Sequence, residues 1–90
     1  MQCIGYQQID AATLASMQTL NVPEEAKLCR VQAEAQSVRY RFDVAPTTGV
    51  GMLVVAGAHQ PVEITAENGM RQAMFIGAAG GAILNVLYFG

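Results

Sequence analysis

The stretch from Leu28 to Phe42, LCRVQAEAQSVRYRF, holds the clearest periodicity of the chain and decides the fold class. In its first part, small or apolar side chains alternate with polar ones, which is typical of a β-strand with one face in water. The small or apolar set there is Cys29, Val31, Ala33 and Ala35. After Gln36 and Ser37 the apolar set shifts by one position, to Val38, Tyr40 and Phe42. Since such a shift turns side chains to the other face, we predict a bulge or tight turn near Gln36 and Ser37.

Short segments of the same kind occupy most of the remaining chain. Further strands are predicted at 3–8, 52–56, 62–65, 71–78 and 82–89, with turns at 43–51, 58–61 and 67–69. The last two strands flank Gly80 and Gly81, a pair that favours a two-residue hairpin turn. The final strand is apolar at almost every position, so we expect it in the centre of a sheet. Residues 10–18 fit a loop or a short helix.

These segments predict a single all-β domain that spans residues 1–90. Strands and turns recur about every eight to twelve residues without intervening helices, which is typical of small β-sandwiches and barrels. We expect an antiparallel, jelly-roll-like sandwich or barrel of about seven or eight short strands. The expected core contains Val31, Ala33, Val38, Tyr40, Val54, Ile64, Phe75, Leu84, Val86 and Tyr88.

The composition favours a protein that works in contact with partners. It is 52% hydrophobic and 13% charged, and that charged fraction is about half of the usual one. A chain of this size buries only roughly 63% of its unfolded surface, so the free energy of unfolding of an isolated monomer is expected to be small. We therefore expect self-association, as a trimer. The net charge of −2 opposes binding to nucleic-acid phosphates, and nucleic acid is not an expected partner.

The sequence also bears on the compartment. Residues 1–10 lack the basic leader and apolar run of an export signal, and no run reaches the roughly 18 apolar residues that cross a membrane. We expect synthesis in a cytoplasm and no membrane partner. Under such reducing conditions Cys3 and Cys29 are expected as two small buried apolar side chains and not as a disulfide. Their spacing does not resemble a metal site.

No pattern of residues indicates catalysis. His59, the single histidine, lies in a predicted turn without a nucleophile beside it, which favours a surface histidine over a catalytic base. The carboxylates are scattered, at Asp10, Glu24, Glu25, Glu34, Asp43, Glu63 and Glu67. The run Gly49-Val50-Gly51 lacks the lysine and helix start of a phosphate-binding loop and is expected to be a bend. We predict that the protein is not an enzyme, binds no metal or cofactor, and has no substrate pocket.

Three of the five basic residues fall on two adjacent predicted strands: Arg30, Arg39 and Arg41. If these strands pair, the three guanidinium groups share one face. One interpretation is a solvated face with Glu34 and Asp43 as neighbours. The other is a partner-binding patch, in which the arginines fork onto carboxylates of another protein. Nucleic-acid binding is disfavoured because no aromatic residues are interleaved for stacking on bases.

Two segments carry a resemblance to a known family. They are AEAQSVRYRFDVAPTTGVGM at residues 33–52, continued by LVVAG, and GGAILNVLYFG at residues 80–90. The positions that carry the pattern are Gln36, Val38, Arg39, Tyr40, Arg41, Asp43, Pro46, Thr47, Val50, Gly51, Met52, Leu84, Asn85, Val86 and Tyr88. Over about two-thirds of its length, the chain resembles a group of small virion proteins of tailed bacteriophages.

The resemblance implies a structural role in the virion and assigns no catalytic residue. The expected function is capsid decoration, in which a trimeric cement protein staples neighbouring capsomers. The implied partner is the major capsid protein or another virion protein, contacted through Arg39 and Arg41. Two alternatives remain open: a head-to-tail connector, neck or tail accessory protein, and, more distantly, a small ligand-binding β domain. The expected location is the virion, after synthesis in the bacterial cytoplasm.

Overall fold

The fold, seen in a computed structural model that describes residues 1–58 and 60–90, is almost entirely β. Eight strands form in this part of the chain: β1 (Cys3–Ile9), β2 (Gln18–Thr19), β3 (Leu28–Glu34), β4 (Val38–Arg41), β5 (Met52–Val54), β6 (Val62–Thr65), β7 (Met74–Gly77) and β8 (Ile83–Phe89). Two single 3-10 turns, Thr13–Ala15 and Met70–Gln72, interrupt them. The all-β prediction is confirmed.

The strands form two antiparallel four-stranded sheets that pack as a sandwich. Sheet 1 has the order β1-β8-β3-β6, and sheet 2 has the order β2-β7-β4-β5. Along the chain, β1 pairs with β8, β2 with β7, β3 with β6 and β4 with β5. The chain is thus one long hairpin, folded back at the loop between β4 and β5. Rolling it up adds the β3–β8 and β4–β7 pairs, and this double-sheet arrangement is the predicted jelly roll.

The predicted change of face after β3 is a tight turn from one sheet to the other. The Gln36 amide donates to the Glu34 carbonyl at 2.7 Å across Ala35, which has a φ of 66°. A hydrogen bond over two residues closes the tightest class of turn, so β4 starts in sheet 2 with its faces reversed. The Ser37 carbonyl and hydroxyl anchor this corner by accepting the amides of Ala78 and Ala56.

The core between the sheets matches the expected one closely. Nine of the ten expected residues are buried, and Tyr40 is half-buried against the same cluster. Leu14 and Met70 are also fully buried, although neither belongs to a strand. Each sits in one of the 3-10 turns, where a single apolar side chain per turn gives no periodicity for the sequence to show.

Two expectations about local structure are wrong. Residues 71–78 and 82–89 do not form a hairpin, because β7 pairs with β2 and β4 while β8 pairs with β1 and β3. The Gly80–Gly81 turn instead crosses from sheet 2 to sheet 1, with Gly81 at a φ of 93°. The central position predicted for β8 is confirmed.

Cys3 is the second correction. Both cysteines are free thiols, but Cys29 is buried whereas Cys3 is exposed. Cys3 starts β1, and a register shift between Cys3 and Gly5 places it opposite Phe89, whose side chain lies on the outer face of sheet 1 and not in the core. Within the described residues, no helix is long and apolar enough to span a membrane.

Candidate interaction surfaces

The three arginines proposed as a patch lie on opposite sides of the sandwich. Arg30 belongs to β3 in sheet 1, whereas Arg39 and Arg41 belong to β4 in sheet 2. Since β3 and β4 do not pair, the condition for one shared arginine face is not met. Arg30 Nε lies 3.4 Å from Glu63 Oε1, and both side chains are about half exposed. Its guanidinium carbon is 5.1 Å from the centre of the Phe89 ring.

Arg39 is directed at the loop between β4 and β5, residues 42–51. Its Nε donates to the carbonyl of Thr48 at 3.0 Å, and its Nη1 donates to the carbonyl of Gly51 at 2.9 Å. The two acceptors lie at the tip and at the end of the loop, so a single guanidinium fixes both. Arg39 therefore acts within the chain as a loop anchor, a role that the sequence reasoning did not assign to it.

Arg41 holds the start of the same loop. Its Nε and Nη2 donate to the two carboxylate oxygens of Asp43 at 2.9 and 2.7 Å. This fork is the strongest geometry for such a pair. The hydrogen bonds from Arg41 are the main reason that the pKa of Asp43 falls from 3.8 to about 2. Asp43 is thus ionised at all physiological pH values.

Other residues of the loop also hold its conformation. Thr47 and Val50 exchange backbone hydrogen bonds of 3.0 and 3.2 Å, which closes a tight turn at the tip. Pro46 is buried, and a β-carbon added to Gly51 meets it at 3.2 Å. Gly51 also has a φ of 142°, a conformation that favours glycine. These contacts give the loop between β4 and β5 one defined conformation.

This loop and β5 expose an unusual amount of apolar surface. Of the eleven large hydrophobic side chains exposed in the described part of the chain, six lie between positions 42 and 55: Phe42, Val44, Val50, Met52, Leu53 and Val55. Met52 is 65% exposed, the most of these six. We call this set the loop surface. Apolar surface held on a fixed backbone is typical of a protein interface.

A second candidate surface is a groove on the outer face of sheet 1, with a volume of about 470 Å³. Its lining residues come from three strands, β1, β3 and β8, and from the residue before β6: Tyr6, Arg30, Gln32, Glu34, Pro61, Asn85, Leu87 and Phe89. We call it the sheet-1 groove. No pocket was expected here from the sequence, because these residues are far apart in the chain and only the β1-β8-β3 register brings them together.

Asn85 lies in the centre of the sheet-1 groove and organises its polar side chains. Its Oδ1 accepts from the Tyr6 hydroxyl at 2.5 Å and from Gln8 Nε2 at 2.9 Å. Its Nδ2 donates to Glu34 Oε1 at 2.6 Å. The network spans three neighbouring strands, so the positions of Tyr6 and Glu34 are set by the sheet.

Chemically reactive groups are sparse among the residues that the structure describes. No cluster of three or more histidine, cysteine, aspartate or glutamate side chains has the geometry to hold a metal ion. Burial raises the pKa of the Cys29 thiol to about 11, so this thiol stays protonated and unreactive. The prediction for His59 lies outside the described residues.

Comparisons with known proteins were made at three levels. Neither a family model, nor a curated protein, nor a solved structure matches the chain. The function proposed below therefore depends on the residues of the chain itself.

Proposed function

We propose that this protein is a structural component of a bacteriophage virion, and that it decorates the capsid. The observation that carries the proposal is the loop surface. Most of the positions that resemble phage virion proteins lie in β4 and the loop that follows it, and two of them, Val50 and Met52, are exposed members of the loop surface. Exposed apolar side chains on a loop held by hydrogen bonds are suited to permanent docking.

The energetics support docking through apolar contacts. The guanidinium groups of Arg39 and Arg41 are already engaged with the loop's own carbonyls and with Asp43. We therefore assign them to positioning the loop, while side chains such as Val50 and Met52 contact the shell protein. Because Val50 and Met52 are 53% and 65% exposed, burying what remains of each contributes roughly 1 to 2 kcal/mol. A few such side chains are sufficient for stable retention on a particle.

Self-association as a trimer belongs to the same proposal. A jelly roll of this size has few charged residues to cover its surface, and a cyclic trimer matches the local three-fold axes of a shell. Light scattering of the purified protein should then give about three times 9.6 kDa. A stable monomer at every concentration, both free and in detergent-released particle extracts, contradicts the trimer.

A head-to-tail connector or tail accessory protein is the second candidate, since it belongs to the same resemblance. Quantification of the protein in purified virions separates the two. Decoration predicts copies on the order of hundreds per particle, whereas a connector ring predicts about a dozen. Absence of the protein from virions contradicts both.

Docking through the loop surface is tested with side chains that make no internal hydrogen bond. We propose Val50→Ser combined with Met52→Ser, and Ile4→Ser on the opposite sheet as the matched control. Ile4 is 37% exposed and lies in β1. Bare particles should retain the control but lose the double variant, with melting temperatures close to that of the parent protein. Equal retention of both variants contradicts docking through the loop surface.

A further inference from the structure

The sheet-1 groove supports an inference that goes beyond a structural role in the virion. The groove lies on the face of the sandwich formed by the outer side of sheet 1, whereas the loop surface belongs to sheet 2 and its β4–β5 connection. Docking through the loop surface therefore leaves the sheet-1 groove open. Its volume of about 470 Å³ is within the range of small-molecule sites.

Tyr6 provides the apolar platform of the sheet-1 groove. The side chain is 58% exposed, yet its hydroxyl is fixed to Asn85 on the neighbouring strand. Tyr6 pairs in register with Leu87, and Asn85 pairs with Gln8, so the hydroxyl reaches diagonally across the sheet. The side chain therefore extends towards β8 while more than half of it stays exposed to solvent. An exposed aromatic ring can contact C–H groups of a ligand, and the fixed position of Tyr6 lowers the entropic cost of binding.

Hydrogen-bonding groups surround this platform and retain unused capacity. Asn85 Oδ1 already accepts two hydrogen bonds, but only one oxygen of the Glu34 carboxylate accepts the Asn85 amide. The Gln32 amide makes no hydrogen bond to the described residues. The Nη groups of Arg30 are likewise free of hydrogen bonds in this part of the structure, since its contact with Glu63 uses Nε. The lining therefore offers both donors and acceptors.

The charges around the groove disfavour an anion. Arg30 and Glu34 are the two charged lining residues, and Arg30 is already paired with Glu63, so one net negative charge remains. A ligand with polar groups that both donate and accept can hydrogen-bond to Arg30 and Glu34 without an anionic charge of its own.

We propose that the sheet-1 groove binds a neutral saccharide. A pyranose ring has an apolar face of C–H groups that stacks on Tyr6, and hydroxyls that donate to Glu34 while accepting from Gln32 and Arg30. An apolar or aromatic ligand leaves these polar groups unpaired, which makes it a poorer fit. If the protein coats a particle, this groove provides a weak glycan contact that many copies multiply.

The test is a titration of ¹⁵N-labelled protein with maltotetraose, cellotetraose, chitotetraose and lactose, followed by NMR. At least one of these sugars should shift the amides around Tyr6, Gln32 and Asn85, with a Kd on the order of 1 mM. The proposal is overturned if none of the four shifts these amides at about 20 mM, well above that Kd, or if the shifts map to the loop surface.

Variants show whether the shifts report on the proposed contacts. Tyr6→Ala and Gln32→Ala should each weaken the binding by about tenfold or more, since each removes a contact worth roughly 1.4 kcal/mol. The control Leu53→Ala, in sheet 2, should bind like the parent. Melting temperatures of the variants verify folding. Unchanged affinity in a folded Tyr6→Ala protein rejects the site, and it does so without affecting the proposal for the loop surface.

Discussion

Replacement of Arg39 by alanine should destabilise the protein although the side chain is not part of the core. The substitution removes the hydrogen bonds to the carbonyls of Thr48 and Gly51, at 3.0 and 2.9 Å. Hydrogen bonds to a charged group contribute about 1.5 to 3 kcal/mol when they are sheltered. Arg39 is partly exposed, so we assign about 1 kcal/mol to each, or about 2 kcal/mol in total.

In a domain of this size, such a loss lowers the melting temperature by about 10 °C, as measured by circular dichroism. Arg39→Lys should recover part of it, because an ammonium group keeps the charge but cannot reach both carbonyls as a fork. Arg30→Ala is the matched control. Arg30 is half exposed beside Glu63, and its removal should cost less than about 1 kcal/mol.

Hydrogen exchange localises the effect. In Arg39→Ala the amides of Thr47 and Val50, which close the loop tip, should exchange faster while the amides of β8 stay protected. A melting temperature within about 2 °C of the parent, together with unchanged exchange at the loop tip, refutes the anchoring role. The original interpretation of Arg39 as a direct partner contact is then the better one.

Three further predictions address other parts of the fold. Arg41→Ala should return the pKa of Asp43 from about 2 towards 3.8, visible in an NMR titration of the carboxylate. In the parent protein the stabilisation from this pair is present above the ordinary Asp pKa and is lost as the pH falls towards 2. Leu84→Ala, at a fully buried position, should cost about 3 kcal/mol in urea unfolding, and a cost below about 1 kcal/mol contradicts its place in the core. Because Cys3 is exposed and Cys29 is buried, a maleimide should label one thiol in the folded protein and two in urea; two labels under native conditions are inconsistent with the buried Cys29.

The sequence predicts those features of the fold that depend on alternation along one strand. The residues around Val31 and Val38 show the period of two and its interruption, and both the strands and the turn follow from it. Pairing between distant strands leaves no comparable signal. Gly80 and Gly81 permit a hairpin and a crossing between sheets equally well. The crossing forms because β8 pairs with β1 on one side and with β3 on the other, which leaves no edge of β8 for β7.

The candidate sites, too, could be predicted only where their residues lie close together in the sequence. The loop surface lies within one continuous stretch of sequence, residues 42–55, and two of its members, Val50 and Met52, belong to the residues that carry the resemblance. The anchoring role of Arg39 required the position of its guanidinium, which depends on the loop conformation. The sheet-1 groove combines Tyr6, Glu34 and Asn85 from three strands, so no local pattern could reveal it.

A density map of the intact virion tests the central claim most directly. We expect this jelly roll on the outside of the capsid shell, with copies around local three-fold axes. Val50 and Met52 should face the shell, and Tyr6 should face solvent. Density for the protein at the neck or tail, or on the capsid with the 42–51 loop directed into solvent, contradicts capsid decoration through the loop surface.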